Sequence, residues 1–181
     1  NHLYLYCMNY FELFEIPVSL NVDKEVVQKK YFELQKKYHP DFFSNESDVE
    51  QAQVLEKSSM INKGFKTFQS NDETIKYVLQ LKNLLEEEEK YQLSAEYLAE
   101  VMELNEALMD IDDSSLQQVE TQLSQLEKSL YTEVQNIIEY YDDERTTDEQ
   151  LLQVKDYYFK KKYLQRILER LDGMRNIATQ N

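Results

Sequence analysis

Histidine and cysteine are scarce in this chain of 181 residues, and its most informative group of polar side chains is His39-Pro40-Asp41. A histidine and an aspartate two residues apart could form half of a catalytic or metal site. The only other histidine is His2, and Cys7 is the single cysteine, so the usual partners for such a site are missing. Asp41 and Ser44 could instead cap a turn that Pro40 makes rigid. The residue types argue against catalysis.

Two predicted helices must position this tripeptide. The helix before it is capped by Asp23 and has an apolar stripe, because six residues recur in it at helical spacing: Val26, Val27, Lys30, Tyr31, Leu34 and Tyr38. Its lysines fall mostly on the other faces and form a basic surface: Lys24, Lys29, Lys30, Lys36 and Lys37. A charged run of this kind is usually only a solvated face, so the lysines alone do not establish a binding surface.

The helix after the tripeptide begins at Ser47 or Asp48 and runs to about Ser70. Its predicted core face comprises Ala52, Leu55, Met60, Ile61, Phe65 and Phe68, which should pack against the preceding helix. Gly64 lowers the helix propensity there by roughly 1 kcal/mol, which we expect the fold to tolerate.

Composition predicts an all-α fold. The chain is 41% apolar and has only two glycines and two prolines, with strong helix formers throughout. Because no apolar run approaches the roughly 18 residues of a membrane span, we expect no membrane segment. A lone cysteine excludes a disulfide framework and favours a reducing compartment. The first seven residues are too short for a secretory or transit signal, and Met8 is the expected start.

The net charge of −15 lies almost wholly in the second part of the chain. Residues 1–71 carry eight lysines and ten acidic residues, whereas residues 72–181 carry twelve basic and twenty-five acidic residues. This distribution argues against nucleic-acid binding, which needs a positive surface. It fits either a partner with a cationic surface or a simple requirement for solubility.

Four further helices are predicted after residue 72. Their ranges are Thr74 to Leu85, Ser94 to Ile111, Ser114 to about Tyr141, and roughly Thr147 to Ile177. Ser94 is a candidate cap, and the apolar side of the first of these helices includes Ile75, Val78 and Leu79. The apolar positions assigned to the last of them are Leu151, Leu152, Val154, Tyr158, Leu164, Ile167, Leu168 and Leu171. The last three helices should form an antiparallel bundle.

The first part of the chain resembles a J-domain. His39-Pro40-Asp41 follows a Lys/Tyr-rich helix, Tyr10-Phe11-Glu12-Leu13-Phe14 opens a short apolar segment, and Met60 to Phe68 is similar to the family's Ile-Asn-x-Ala-x-x-x-Leu run. The resemblance implies that the basic helix meets an acidic patch on a chaperone ATPase. Asp41 would make charged hydrogen bonds to an arginine of that partner, His39 would orient the loop, and Pro40 would fix its shape.

The layout of a J-domain followed by an acidic helical bundle resembles that of the HscB family of iron-sulfur cluster co-chaperones. The segment Tyr97 to Leu108 resembles that family's Phe-Leu-Met-Glu-x-x-Glu-x-Arg-Glu-x-Leu motif. The resemblance implies an L-shaped, all-α protein with a J-domain at 8–72, a connecting helix and linker at 73–92, and a three-helix bundle at 93–178. It implies bacterial cytoplasm, with the mitochondrial matrix as the alternative, no cofactor and no enzymatic activity.

The family resemblance also implies two binding sites. An HscA-type heat-shock chaperone would contact Lys29, Lys30, Lys36, Lys37, His39, Pro40 and Asp41. The cluster scaffold IscU would contact Leu98, Ala99, Met102, Glu103, Glu106, Asp110 and Phe159. Ala99 replaces a usual methionine and Asn105 a usual arginine, so we expect a smaller apolar anchor than the family pattern provides.

Two other functional classes remain open at this point. A structural helical adaptor that is not coupled to a chaperone ATPase explains the acidic helices equally well. A metal-dependent enzyme could use the acidic runs Glu86 to Glu89 or Asp142 to Glu144, although these runs read as solvated loops and lack the spacing of a metal cage.

Overall fold

The computed structural model describes residues 8–107 and 113–178, and all regular structure within them is helical. The helices are α1 (Tyr10–Phe14), α2 (Lys24–Tyr38), a 3-10 turn (Pro40–Phe43), α3 (Asp48–Gln69), α4 (Asn71–Leu81), α5 (Ala95–Ala107), α6 (Asp113–Glu139) and α7 (Asp148–Ala178). The predicted all-α class is confirmed for this part of the chain.

The chain divides into two compact units. The first runs to Leu81 and also contains Tyr141–Arg145, and the second contains Lys82–Tyr140 and the chain from Thr146 onward. The helix α4 therefore belongs to the first unit. The domain limits 8–72, 73–92 and 93–178 stay a prediction.

The core of the first unit is aromatic and is built around α1. Asn9 and Glu12 form a reciprocal capping box that starts α1, and Phe11 and Phe14 are fully buried against Phe68 of α3. A Cβ at Gly64 would lie 2.9 Å from the Phe14 ring. The close packing of α1 on α3 therefore favours glycine at this position in this chain, and its effect on helix propensity is secondary.

The helices α2 and α3 form a hairpin whose caps match the prediction. Asp23 caps α2, and Ser47 caps α3 in a capping box with Glu50. Tyr31 joins the two helices, because its ring stacks on Phe65 at 4.0 Å between centroids and its hydroxyl donates to Asn62 over 3.1 Å.

Three residues predicted to lie in this core are exposed instead: Val26, Ala52 and Leu55. The buried stripe of α3 comprises Val54, Ser58, Ile61, Gly64 and Phe68. Leu55 follows Val54 directly, and one residue along a helix rotates the side chain by about 100°, away from the packed face. The helix α3 packs on α1, α2 and α4, and these contacts together set which stripe is buried.

The helix α4 begins and ends earlier than the predicted range of Thr74 to Leu85. Ser70 precedes it, and the Ser70 hydroxyl accepts the Glu73 N–H over 3.3 Å. Two residues after its end, Asn83 has a φ of 57°, a left-handed conformation that cannot continue a helix. Ile75, Val78 and Leu79 are buried as predicted.

In the second unit α5, α6 and α7 pack against one another, which is the predicted bundle. Its core is mainly aliphatic and comprises Val101, Leu104, Val119, Leu123, Leu130, Val134, Ile138, Leu151, Val154, Leu164, Ile167 and Leu171. Leu152, also predicted for the core, is exposed, since it lies one residue past the buried Leu151 on α7.

Candidate functional site

The His39-Pro40-Asp41 loop is shaped by hydrogen bonds within itself, and its 3-10 turn packs against α3. His39 ends α2, Pro40 starts the 3-10 turn, and the Phe42 N–H donates to the His39 carbonyl over 3.1 Å. His39 Nδ1 accepts the Asp41 N–H over 3.3 Å. His39 Nδ1 also lies 3.7 Å from the Asp41 carboxylate. The Asp41 side chain is 85% exposed and is presented to solvent.

The predicted lysines on α2 differ in availability. Lys29, Lys36 and Lys37 are exposed. Lys30 is instead bound to Glu15 at 2.6 Å, and this hydrogen bond lowers the pKa of the Glu15 carboxyl. Lys30 therefore adds little to the positive charge offered to a partner. We use the name loop surface for Lys29, Lys36, Lys37, His39, Pro40 and Asp41.

The sequence did not reveal a further cation beside the loop surface. Lys57 of α3 lies 4.3 Å from the centroid of the Tyr38 ring, and Lys37 lies 5.3 Å from it. Burial alone would raise the pKa of the Tyr38 phenol, but hydrogen bonding and charge from Lys57 and Lys37 lower it below its usual value. The phenol next to His39 therefore experiences a positive electrostatic potential.

The helix α5 separates an inner face from an outer one. Tyr97, Val101 and Leu104 are buried, and the Ser94 hydroxyl accepts the Tyr97 N–H as the predicted cap. The predicted contact residues fall on the other side: Leu98 is half-buried, Ala99, Glu103 and Glu106 are exposed, and Met102 is 58% exposed. We use the name bundle face for these five residues. They are not bundle core, and Asp110 lies outside the described residues.

Phe159, the seventh predicted scaffold contact, is half-buried under Tyr91, a residue that the sequence did not single out. Its ring stacks on Tyr91 with centroids 4.4 Å apart and planes 2° from parallel. The Tyr91 hydroxyl donates to Asp156 over 2.8 Å. Burial and this hydrogen bond raise the pKa of Tyr91 to about 12. Phe159 is therefore positioned by the segment that leads into α5.

The same segment is attached to α7 by Lys155, whose side chain is nearly buried. Its Nζ donates to the Leu84 carbonyl over 2.7 Å and pairs with Glu89 at 2.6 Å. The hydrogen bond from Lys155 lowers the pKa of Glu89. Glu89 is thus a structural ion-pair partner, and the prediction that the whole run Glu86 to Glu89 is a solvated loop is wrong at this residue.

Two contacts fix the inner side of α5 on α7. The Tyr97 hydroxyl donates to the Lys160 carbonyl over 2.7 Å, and Arg170 donates to the Asn105 side chain over 3.2 Å. Asn105, which stands where the family pattern has arginine, is half-buried and is bonded to α7 through Arg170.

Within the described ranges, no three histidine, cysteine, aspartate or glutamate side chains are arranged to hold a metal ion. The metal-enzyme alternative finds no support there. None of the helices in these ranges is both long and apolar enough to cross a membrane.

Comparison with known proteins identifies the family. Residues 93–172 match the family described as the HSCB C-terminal oligomerisation domain. The HscB homologue of Photobacterium profundum is 31% identical over 78% of this chain and 86% of its own length, and that of Shewanella woodyi is 30% identical over 91% and 97%. The chain belongs to the HscB family. A match to the HscB of Buchnera aphidicola is 46% identical but spans only 36% of that protein.

Solved HscB structures share the fold. The crystal structure of human HscB has a TM-score of 0.75 and is 25% identical, covering 93% of this chain and 83% of the human one. The HscB of Vibrio cholerae has a TM-score of 0.71 at 22% identity, covering 93% and 98%. The predicted layout of a J-domain followed by a helical bundle is confirmed.

Proposed function

We propose that this HscB-family protein binds the cluster scaffold IscU through the bundle face and Phe159, and delivers it to an HscA-type chaperone. The loop surface would dock on the chaperone and stimulate its ATPase. No bond is made or broken by the protein itself. It raises the local concentration of scaffold beside the chaperone and favours the hydrolysis-competent state by binding that state more tightly.

The observation that carries the chaperone half of this proposal is the exposed Asp41 carboxylate in a cationic setting. The loop holds Asp41 outward, and Lys36, Lys37 and Lys57 surround the end of α2. Such charges attract an acidic surface and speed its encounter, while Asp41 can make a charge-assisted hydrogen bond to an arginine within that surface.

The scaffold half rests on the exposure of the bundle face. Met102 and Leu98 offer apolar contact area, and Glu103 and Glu106 add negative charge beside it. Apolar anchors supply most of the affinity at interfaces of this kind, and charges set orientation and encounter rate. The bacterial origin of the curated relatives supports the bacterial cytoplasm as the compartment.

The test is the steady-state ATPase rate of an HscA-type chaperone with IscU, measured with this protein and with its Asp41→Asn variant. We expect strong stimulation by the unsubstituted protein and none by the variant, because the amide keeps the shape but loses the charge. Binding of IscU to both should be equal. Equal, negligible stimulation by both proteins would favour a helical adaptor not coupled to the ATPase.

A further inference from the structure

Two phenylalanines beside the loop surface are exposed although their side chains could have been core residues. Phe32 of α2 is 61% exposed, and Phe42 of the 3-10 turn is 70% exposed. The other phenylalanines of the first unit are buried or half-buried. Single exposed apolar residues are ordinary on protein surfaces, so exposure alone does not decide their role.

Their placement is more informative. Lys29, Phe32 and Lys36 follow one another at three- and four-residue steps and therefore lie on one side of α2. The opposite side is fixed by the buried Val27 and by Tyr31, which is held against α3. The outer side of α2 thus carries one aromatic ring between two lysines.

Phe42 extends the same arrangement into the loop. Its ring centroid lies 5.6 Å from that of His39, and its backbone N–H donates to the His39 carbonyl. These contacts hold the ring directly after Asp41 without burying it. The His39-Pro40-Asp41 loop is therefore followed directly by a fixed apolar group, next to the Asp41 carboxylate.

We propose that Phe32 and Phe42 are the apolar anchors of the chaperone-docking interface, and that they select a partner surface with apolar depressions between its carboxylates. This rests on the proposed function. Aromatic residues are enriched at binding hot spots because a rigid ring buries a large area at a small entropic cost. The neighbouring lysines require the surface that receives the rings to be acidic.

The experiment is an ATPase titration of an HscA-type chaperone with the full chain and with the Phe32→Ala, Phe42→Ala and Asp41→Asn variants. Tyr140→Ala, which removes a 78% exposed aromatic ring from the second unit, is the matched control. Each phenylalanine variant should raise the half-saturating concentration about tenfold and leave maximal stimulation unchanged. Phe42→Leu should restore much of the affinity. Added salt should raise the half-saturating concentration of a Lys36→Gln variant less than that of the unsubstituted protein. It should leave the ratio of half-saturating concentrations between Phe42→Ala and the unsubstituted protein unchanged.

The outcomes separate the two proposals. If Asp41→Asn abolishes stimulation while both alanine variants behave like Tyr140→Ala, the anchor role of Phe32 and Phe42 is overturned and the proposed function stands. A fall in maximal stimulation without a change in half-saturating concentration would make Phe42 a positioning residue for His39 and would also overturn the anchor role. If the unsubstituted protein gives no stimulation, both proposals fail.

Discussion

The loop surface and the bundle face are both exposed sides of helical elements, but they are held in place by different means. The loop is shaped by contacts between neighbours, such as the Asp41 N–H on His39 and the Phe42 N–H on the His39 carbonyl. The bundle face depends on contacts across long stretches of chain, such as Tyr97 to Lys160 and Lys155 to Leu84. We infer that removal of distant supports disturbs the bundle face more than the loop, whose hydrogen bonds are local although its 3-10 turn packs on α3.

The largest difference between the loop surface and the bundle face should come from Lys155→Met, which removes a distant support of the bundle face. The substitution leaves Glu89 and the Leu84 carbonyl without their shared donor, and we expect it to lower the unfolding free energy of the second unit by about 3 kcal/mol. Urea unfolding followed by circular dichroism measures this loss, and IscU affinity should fall with it. Lys162→Met, which changes an exposed lysine on the same helix, is the control and should cost less than about 1 kcal/mol. Equal stability of the two variants would show that the ion pair does not support the bundle face.

A substitution on the bundle face itself should separate binding from folding. Met102→Glu places a charge in the apolar centre of the face, and we expect IscU affinity to fall roughly 30-fold, or about 2 kcal/mol. Because Met102 is exposed, the unfolding free energy should change by no more than about 0.5 kcal/mol. Isothermal titration calorimetry provides the affinity. Leu152→Glu, at another exposed apolar position of the bundle, should bind normally, and the same loss there would mean that negative charge alone weakens binding.

The two glycines, one in each unit, should respond to alanine with changes in stability of opposite sign. Alanine at Gly64 would press on the Phe14 ring, and overpacking should outweigh the gain in helix propensity, for a net loss of about 1 kcal/mol. A Cβ at Gly173 would have open space within 4 Å, so alanine there should raise the free energy of unfolding by roughly 0.5 kcal/mol. Chemical denaturation of both variants checks the opposite signs. Stabilisation by both would mean that α1 can move away from α3 without loss.

A last expected effect, absent at neutral pH, is a pH dependence at Tyr91. Burial, followed by the hydrogen bond to Asp156, raises the pKa of Tyr91 from 10.0 to about 12. The folded state then holds its proton more tightly than the unfolded state, so this stabilisation is complete below pH 10 and declines as the pH rises towards 12. The stability difference between the unsubstituted protein and Tyr91→Phe should therefore shrink over that window. Urea midpoints at both ends of the window measure it, and a constant difference would contradict the assignment.

The same contrast between local and distant contacts explains how far the sequence could be interpreted. The caps Asp23, Ser47 and Ser94 were predictable because each acts on the next few residues. The buried stripe of α3 was predicted one residue out of register at Leu55, since periodicity could not reveal that α1 packs on the Gly64 side. The loop surface was predicted, apart from the pairing of Lys30 with Glu15.

The support of the bundle face could not be predicted in the same way. Tyr91 and Lys155 lie in polar stretches with no apolar period to mark them, and their partners are 65 and 71 residues away along the chain. Only the packed bundle brings them together. Lys57 was missed for a similar reason, because its position beside Tyr38 depends on how α2 and α3 pair.

The central claim is that one molecule must carry both surfaces, and a mixing experiment tests it most directly. IscU-dependent stimulation of an HscA-type chaperone is measured with Asp41→Asn alone, with Met102→Glu alone, and with both together. The first variant retains the bundle face and the second retains the loop surface. If delivery requires both surfaces on one chain, the mixture should give no more stimulation than Met102→Glu alone. Recovery of the full rate by the mixture would contradict delivery by a single bridging molecule.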